Sequence, residues 1–233
     1  MPIHKLIKRF FPSQQPTHPA IVANNMISVA ADKDLPVRDC DFVVFDTELT
    51  GLKQRRDEII AIGAVRIKNV RICFEDTFYA LIKPQGKLYT PSTLIHRITP
   101  GELRRAEPIK EVLPRFIDFC GGAFLVGHHV SLDLEFVNRA CQNYLGGVIE
   151  SSSLDTMRLA RAYKTSLNGP YLDHHEKQDS YRLSSLSDEF HLPKFAEHNA
   201  LQDALQTAYL FIYLIRKLRY GDTGTVNDYL KLK

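Results

Sequence analysis

The chain has no C-x-x-C pair. Its four cysteines, Cys40, Cys73, Cys120 and Cys141, are far apart, which argues against both a zinc ribbon and a disulfide framework. A reduced, cytoplasmic protein is the expectation. The sequence also lacks the roughly 18 uninterrupted apolar residues of a membrane span. Its nearest approach, residues 200–215, carries Gln202, Asp203 and Gln206. In residues 20–31, Asn24 and Asn25 interrupt the apolar run that would otherwise suggest an export signal. Charge of one sign is scarce too: 30 Lys+Arg stand against 27 Asp+Glu, a net of +3. Residues 1–40 hold five basic side chains (Lys5, Lys8, Arg9, Lys33, Arg38) and three acidic ones, so the rest of the chain is close to neutral. Tight binding along a long polyanion by charge alone is therefore excluded. There is no internal repeat.

What is present is an ordinary globular composition, 44% hydrophobic over 233 residues, enough for one domain with its own core. Residues 1–40 lack sustained periodicity, and residues 12–19 hold three prolines. They read as an extension or linker, either poorly ordered or a docking arm for a partner. From residue 41 three strand signals follow one another, over 42–46, 59–67 and 73–82, most simply an antiparallel meander. Residues 109–120 place Ile109, Val112, Leu113, Phe116, Ile117 and Cys120 at helical spacing. A fourth strand over 124–127 leads into a helix over 131–144, and a strand-helix pair spans 148–163. After a polar stretch over 164–182, read as a flexible loop, come a short helix over 183–190 and a long one over 200–218. The expectation is an α/β domain over 41–220 with a mixed five-stranded sheet, the meander plus parallel strands, followed by a short tail over 221–233.

Three polar motifs stand out. Asp46-Thr47-Glu48 closes the first strand, and side chains at i and i+2 share a face, so both carboxylates project from one side. Such a pair repels unless a proton or a cation sits between them, and hard oxygen ligands suit Mg²⁺ or Mn²⁺. Asp133 follows in the first turn of the helix after the fourth strand, at the crevice where open α/β sheets bind ligands. In His198-Asn199-Ala200-Leu201-Gln202-Asp203, Asn199 is a candidate N-cap, which leaves His198 in the preceding loop, able to fold toward Asp203.

Together these motifs resemble the DnaQ-like (DEDDh) 3'-to-5' exonuclease family, which includes the proofreading epsilon subunit of bacterial DNA polymerase III, RNase T and oligoribonuclease. The likeness rests on FDTELTGL (45–52), DEIIAIGAV (57–65), IHRIT (95–99), LVGHHVSLDLEF (125–136), LDT (154–156) and HNALQDA (198–204). It implies an RNase H-like fold in which Asp46, Glu48, Asp133 and Asp203 hold two divalent ions, Mg²⁺ or Mn²⁺, with His198 as general base. The implied activity is release of nucleoside 5'-monophosphates from single-stranded 3' ends, DNA favoured over RNA. Thr47, Leu52, His96 and His129 would contact the terminal nucleotide, Leu52 as a wedge at the last base. A polymerase or replication partner would be reached through the N-terminal arm. An exoribonuclease of the RNase T or oligoribonuclease kind is the alternative within the enzyme class. A non-catalytic nucleic-acid or polymerase-binding module is the alternative outside it, and four carboxylates left in one cleft without a metal argue against it. Leu49, Ala61, His129 and Leu132 depart from the usual family residues, but none of them is an expected ligand. Two basic groups, Lys53-Arg55-Arg56 and Arg158-Arg161-Lys164, are candidates for tracking a phosphate backbone, the first favoured because it adjoins the first motif.

Overall fold

The computed structural model describes residues 16–53, 55–86, 97–168, 178–218 and 221–232. β1 (Phe42–Leu49) alternates strictly: Val43 and Phe45 join one apolar cluster, Phe42 and Val44 another on the opposite face. The strand is thus covered on both sides, which its near-continuous apolar start requires. β2 (Ile59–Lys68) and β3 (Arg71–Lys83) complete the antiparallel meander, and β5 (Phe124–Gly127) and β6 (Ser153–Asp155) add to β1 in parallel. Among the described residues the sheet has six strands rather than the expected five, in the order β4-β3-β2-β1-β5-β6. The extra strand, β4 (Glu107–Pro108), is two residues long and pairs with Ile82 and Lys83. A Glu-Pro pair carries no strand signal, because proline fits only the edge of a sheet.

On one face lie α1 (Pro19–Ala30), α3 (Ile109–Cys120) and α4 (Val130–Leu145); on the other lie α5 (Thr156–Asn168) and the long α7 (Ala200–Lys217). Shorter helices are α2 (Pro100–Arg105), α6 (Leu183–Glu189) and α8 (Val226–Leu230). The strand expected from residue 148 begins only at Ser153. The stretch expected as a loop over 164–182 is helical through Asn168 and forms a 3-10 turn over Gln178–Tyr181; residues 169–177 lie outside the described residues.

Residues 16–40 are not a loose arm. α1 buries Ala20, Ile21, Asn24 and Ser28 against the body, and Asn24 Oδ1 accepts a hydrogen bond from the Gly122 amide at 2.9 Å. Val22, Met26 and Val29 face outward, Met26 being 71% exposed. Polar residues inside beside Ala20 and Ile21, and apolar residues outside, blur the usual pattern, which is why periodicity shows no helix here. The C-terminal residues are packed as well. The Val37 amide donates to Gly224 O at 2.8 Å, the Asn227 amide donates to Lys33 O at 3.0 Å, and Tyr229 is buried. Thr225 and Asp228 cap α8 reciprocally.

The feature that positions the site is the contact between α7 and β2. Asp46 pairs with Gly63 across β1 and β2, and a Cβ on Gly63 would fall 2.1 Å from Leu201 N and 2.2 Å from Ala200 C. The first turn of α7 therefore rests directly on β2, beside the end of β1. Gly63→Ala is expected to push that turn away at a cost of about 1–3 kcal/mol, read as a fall in Tm of several degrees, at about 2–4 °C per kcal/mol. An unchanged melting curve would contradict the contact.

Candidate active site

Asp46 and Glu48 leave β1 on the α7 face, and Asp203 reaches them from the first turn of α7. One carboxylate oxygen from each of the three lies within 4.8 Å of the others. Asp133, in the first turn of α4, is buried and stands just outside this group of three, near enough that its charge is the largest of those acting on Asp46. Thr47 holds it: the Thr47 amide and hydroxyl donate to Asp133 Oδ1 at 3.1 and 2.5 Å. The four carboxylates thus flank a single strand end, with Thr47 as a positioner of Asp133.

Their charges are poorly tolerated. Burial, and then the charges of Asp133, Asp203 and Glu48, raise Asp46 well above the carboxylate range. Burial and the neighbouring Asp203 and Asp133 raise Glu48 to about 7. Burial lifts Asp133 to about 7 against the two Thr47 hydrogen bonds. Asp203 is lifted to about 6, again chiefly by burial, which its amide hydrogen bonds and His198 oppose. An acidic oxygen cluster that holds protons at neutral pH is chemically matched to a hard divalent cation, which would replace those protons.

α7 also fixes the loop that precedes it. The amides of His198 and Asn199 donate to Asp203 Oδ2 at 2.9 and 3.2 Å. The Ala196 amide donates to Gln202 Oε1 at 2.7 Å, and the Phe195 amide to Gln206 Oε1 at 3.2 Å. Asn199 caps the helix by accepting from the Gln202 amide. His198 sits in the left-handed region at φ 64°, its side chain 47% exposed, and lines one cleft together with Asp203. Gln202 and Gln206 were not foreseen as contributors. Their spacing of four about Asp203 is visible in the sequence, but the loop they bind is not.

The other expected contacts are mixed. Leu52 is 71% exposed, so it does not cap the core. His129, at φ 61°, precedes α4, and its amide donates to Asp155 Oδ1 at 3.0 Å. His96 lies outside the described residues. Ala61 is buried in a small apolar cluster with Ile98, Leu103 and Ala200. His128 is a structural group that sequence reading passed over. Burial, with His129 beside it, lowers its pKa to about 4, so the ring is neutral, donating from Nε2 to Tyr181 O and accepting at Nδ1 from Thr156, both at 2.9 Å. The second basic group is occupied structurally. Arg158 donates to Leu232 O, Arg161 lies over the Tyr181 ring and Lys164 pairs with Glu189 at 2.7 Å.

A mixed six-stranded sheet with an acidic cluster at the end of a central strand, able to hold a divalent ion, marks a nuclease of the RNase H-like fold. More narrowly, the chain belongs to the RNase T exonuclease family, whose model, described as Exonuclease, matches residues 43–211. It is 31% identical to DNA polymerase III subunit epsilon of Aquifex aeolicus, over 88% of this chain and 96% of that one. It is 38% identical to the PolC-type DNA polymerase III of Caldanaerobacter subterraneus subsp. tengcongensis over 81% of this chain, but spans only 12% of that protein. The fold is similar to that of E. coli exonuclease I in a zinc-bound complex with single-stranded DNA (TM-score 0.66, 20% identity, 82% of this chain and 43% of that chain). It is also similar to that of exonuclease X in complex with 5' overhanging duplex DNA (TM-score 0.56, 22% identity, 80% and 98%). No helix among the described residues is long and apolar enough to cross a membrane.

The raised carboxylates set the stability of the metal-free protein. Glu48 at about 7 and Asp203 at about 6 lie above their ordinary values of 4.5 and 3.8. Between about pH 4 and 7 these carboxylates therefore bind more protons in the folded state than in the unfolded chain, and their contribution to stability falls as pH rises, opposed below its ordinary value of 6.5 by His128, whose lowered pKa acts the other way. Thermal melts in chelator are expected to show a lower Tm at pH 8 than at pH 5.5, and Asp46→Asn is expected to raise the Tm at pH 8. A higher Tm at pH 8, or a destabilising Asp46→Asn, would contradict the crowding.

Proposed function

We propose that this chain is a divalent-cation-dependent 3'-to-5' exonuclease that removes nucleotides from single-stranded 3' ends, preferring DNA to RNA and releasing nucleoside 5'-monophosphates. The observation that carries this reading is the convergence of Asp46, Glu48 and Asp203 within 4.8 Å, on a chain of the exonuclease family. Asp46, Glu48 and Asp203 would hold one ion, and Asp46 with Asp133 a second; Mg²⁺ and Mn²⁺ suit these oxygens. When bound, two such ions supply charge stabilisation for the attacking and leaving oxygens of a phosphodiester.

The protein's own contribution is placement and proton transfer. His198 is the proposed general base. It is solvent-accessible and shares a cleft with Asp203, and its backbone is tied to Asp203. An imidazole so placed can take a proton from an attacking water as a general base. His128 is unsuited to that task, because both ring nitrogens are already engaged. Thr47 keeps the Asp133 carboxylate against β1. Leu52 and His129, both beside the acidic cluster in sequence, are proposed contacts of the terminal nucleotide, with His96.

Matches to polymerase III proteins support an assembly with a DNA polymerase, and the N-terminal 40 residues are its proposed contact. The outward Val22, Met26 and Val29 on α1 offer an apolar surface there.

The test is degradation of a 5'-labelled oligodeoxynucleotide with Mg²⁺ or Mn²⁺, beside its RNA counterpart. Expected are one-nucleotide steps from the 3' end, faster on DNA, with 5'-monophosphates as product. His198→Ala should lower kcat by about 10²–10⁴, and Asp46→Ala should abolish turnover. Absence of mononucleotides, or full activity in Asp46→Ala, would refute the reading.

A further inference from the structure

Behind the β1–β2 loop lies a cavity of about 170 Å³ that the carboxylate cluster does not use. Arg55 and Arg56 come to it from the loop, Lys83 from the end of β3 and Arg139 from α4. The two acidic side chains on its wall are already engaged. Asp57 accepts from the Lys53 amide at 2.8 Å and from Arg56 Nε at 3.0 Å; Glu58 accepts from the Gln85 and Gly86 amides at 2.8 and 3.0 Å. The wall is preorganised. Asp57 is buried, and burial, which would raise its carboxyl, is outweighed by Arg56 and the Lys53 amide, so it stays below its ordinary value and charged. Arg139 donates to the Asp57 carbonyl and lies over the Phe136 ring at 4.7 Å. Four cations therefore face two anions on this concave surface, Asp57 paired with Arg56 and Glu58 bonded to backbone amides, which leaves the lining net positive. By contrast, the cleft shared by His198 and Asp203 has Arg182 and Lys194 against Asp188, Glu197 and Asp203.

Arg139 lies six residues after Asp133 on α4, about 9 Å along the axis at 1.5 Å per residue. That is too far to serve the phosphate being cleaved, yet close enough for another on the same strand. Planar guanidiniums are suited to phosphate oxygens. Resting on the nuclease reading above, we propose that this cavity seats an upstream phosphodiester of the substrate strand, so that the strand passes over the β1–β2 loop from Asp133 toward Arg139. Of the two basic groups in the sequence, only the one beside the first motif serves this path, joined by Lys83 and Arg139.

The experiment compares the parent with Arg55→Gln/Lys83→Gln, a pair on the cavity's exposed rim, in two readouts. The first is binding of labelled single-stranded hexathymidylate in chelator as a function of salt. The slope of log K against log salt should shrink by about 0.7 for each phosphate that the protein no longer neutralises, and Arg55→Lys/Lys83→Arg should restore it. The second is kcat/KM with Mg²⁺. The double variant should lose several times more on the hexanucleotide than on a dinucleotide, which has no upstream phosphodiester. An unchanged salt slope, or equal losses on both lengths, would overturn the proposal. A parent that binds with the expected slope but hydrolyses neither substrate would instead refute the nuclease reading.

Discussion

The arrangement depends on how closely a helix can approach a sheet. α7 carries Asp203 and β1 carries Asp46 and Glu48, and α7 reaches them by crossing the neighbouring strand β2. Any side chain at position 63 would hold the helix off, and only glycine lets the backbone of Ala200 and Leu201 rest on the strand. Three carboxylates are then forced within reach of one another. In the absence of a cation, that proximity is a liability. Their carboxyls are raised above the ordinary range, with burial the largest cause for each and the neighbouring acids adding to it for Asp46 and Glu48. The fold provides the opposing stability from two apolar clusters, one on each face of the sheet.

Much of this was legible in the sequence, for identifiable reasons. β1, β2, α3, β5 and α7 have strong periodicities or sharp boundaries, such as Gly121 in the left-handed region just after α3, so their positions agree to within a few residues. The acidic motifs were legible because each sits at an element end, where backbone geometry fixes the direction of the side chain. What was not legible depended on contacts between segments distant in the chain. α1 hides polar residues that find their partners at Gly122 and Ser151, and α8 is held by residues almost 200 positions away. β4 exists only because β3 is there to pair with it.

Asp133 shows the same limit within the site. The family resemblance grouped it with the other acids, and the structure does set it at the same strand end. But Asp133 is held by the amide and hydroxyl of Thr47, the residue between Asp46 and Glu48, rather than within the group of three. The four carboxylates are therefore arranged as a group of three and a neighbour, whose charge still acts on Asp46 and Glu48.

The hydrogen bonds from the amides of Phe195, Ala196, His198 and Asn199 to side chains of α7 mean that His198 has no independent hinge. The site is thus carried by two elements, the sheet end with Asp46 and Glu48 and the helix start with Asp203 and His198. Any motion that widens or narrows the gap between them would change the spacing of the carboxylates and the reach of the imidazole together. A single degree of freedom, the seating of one helix on one glycine, would thus govern both at once.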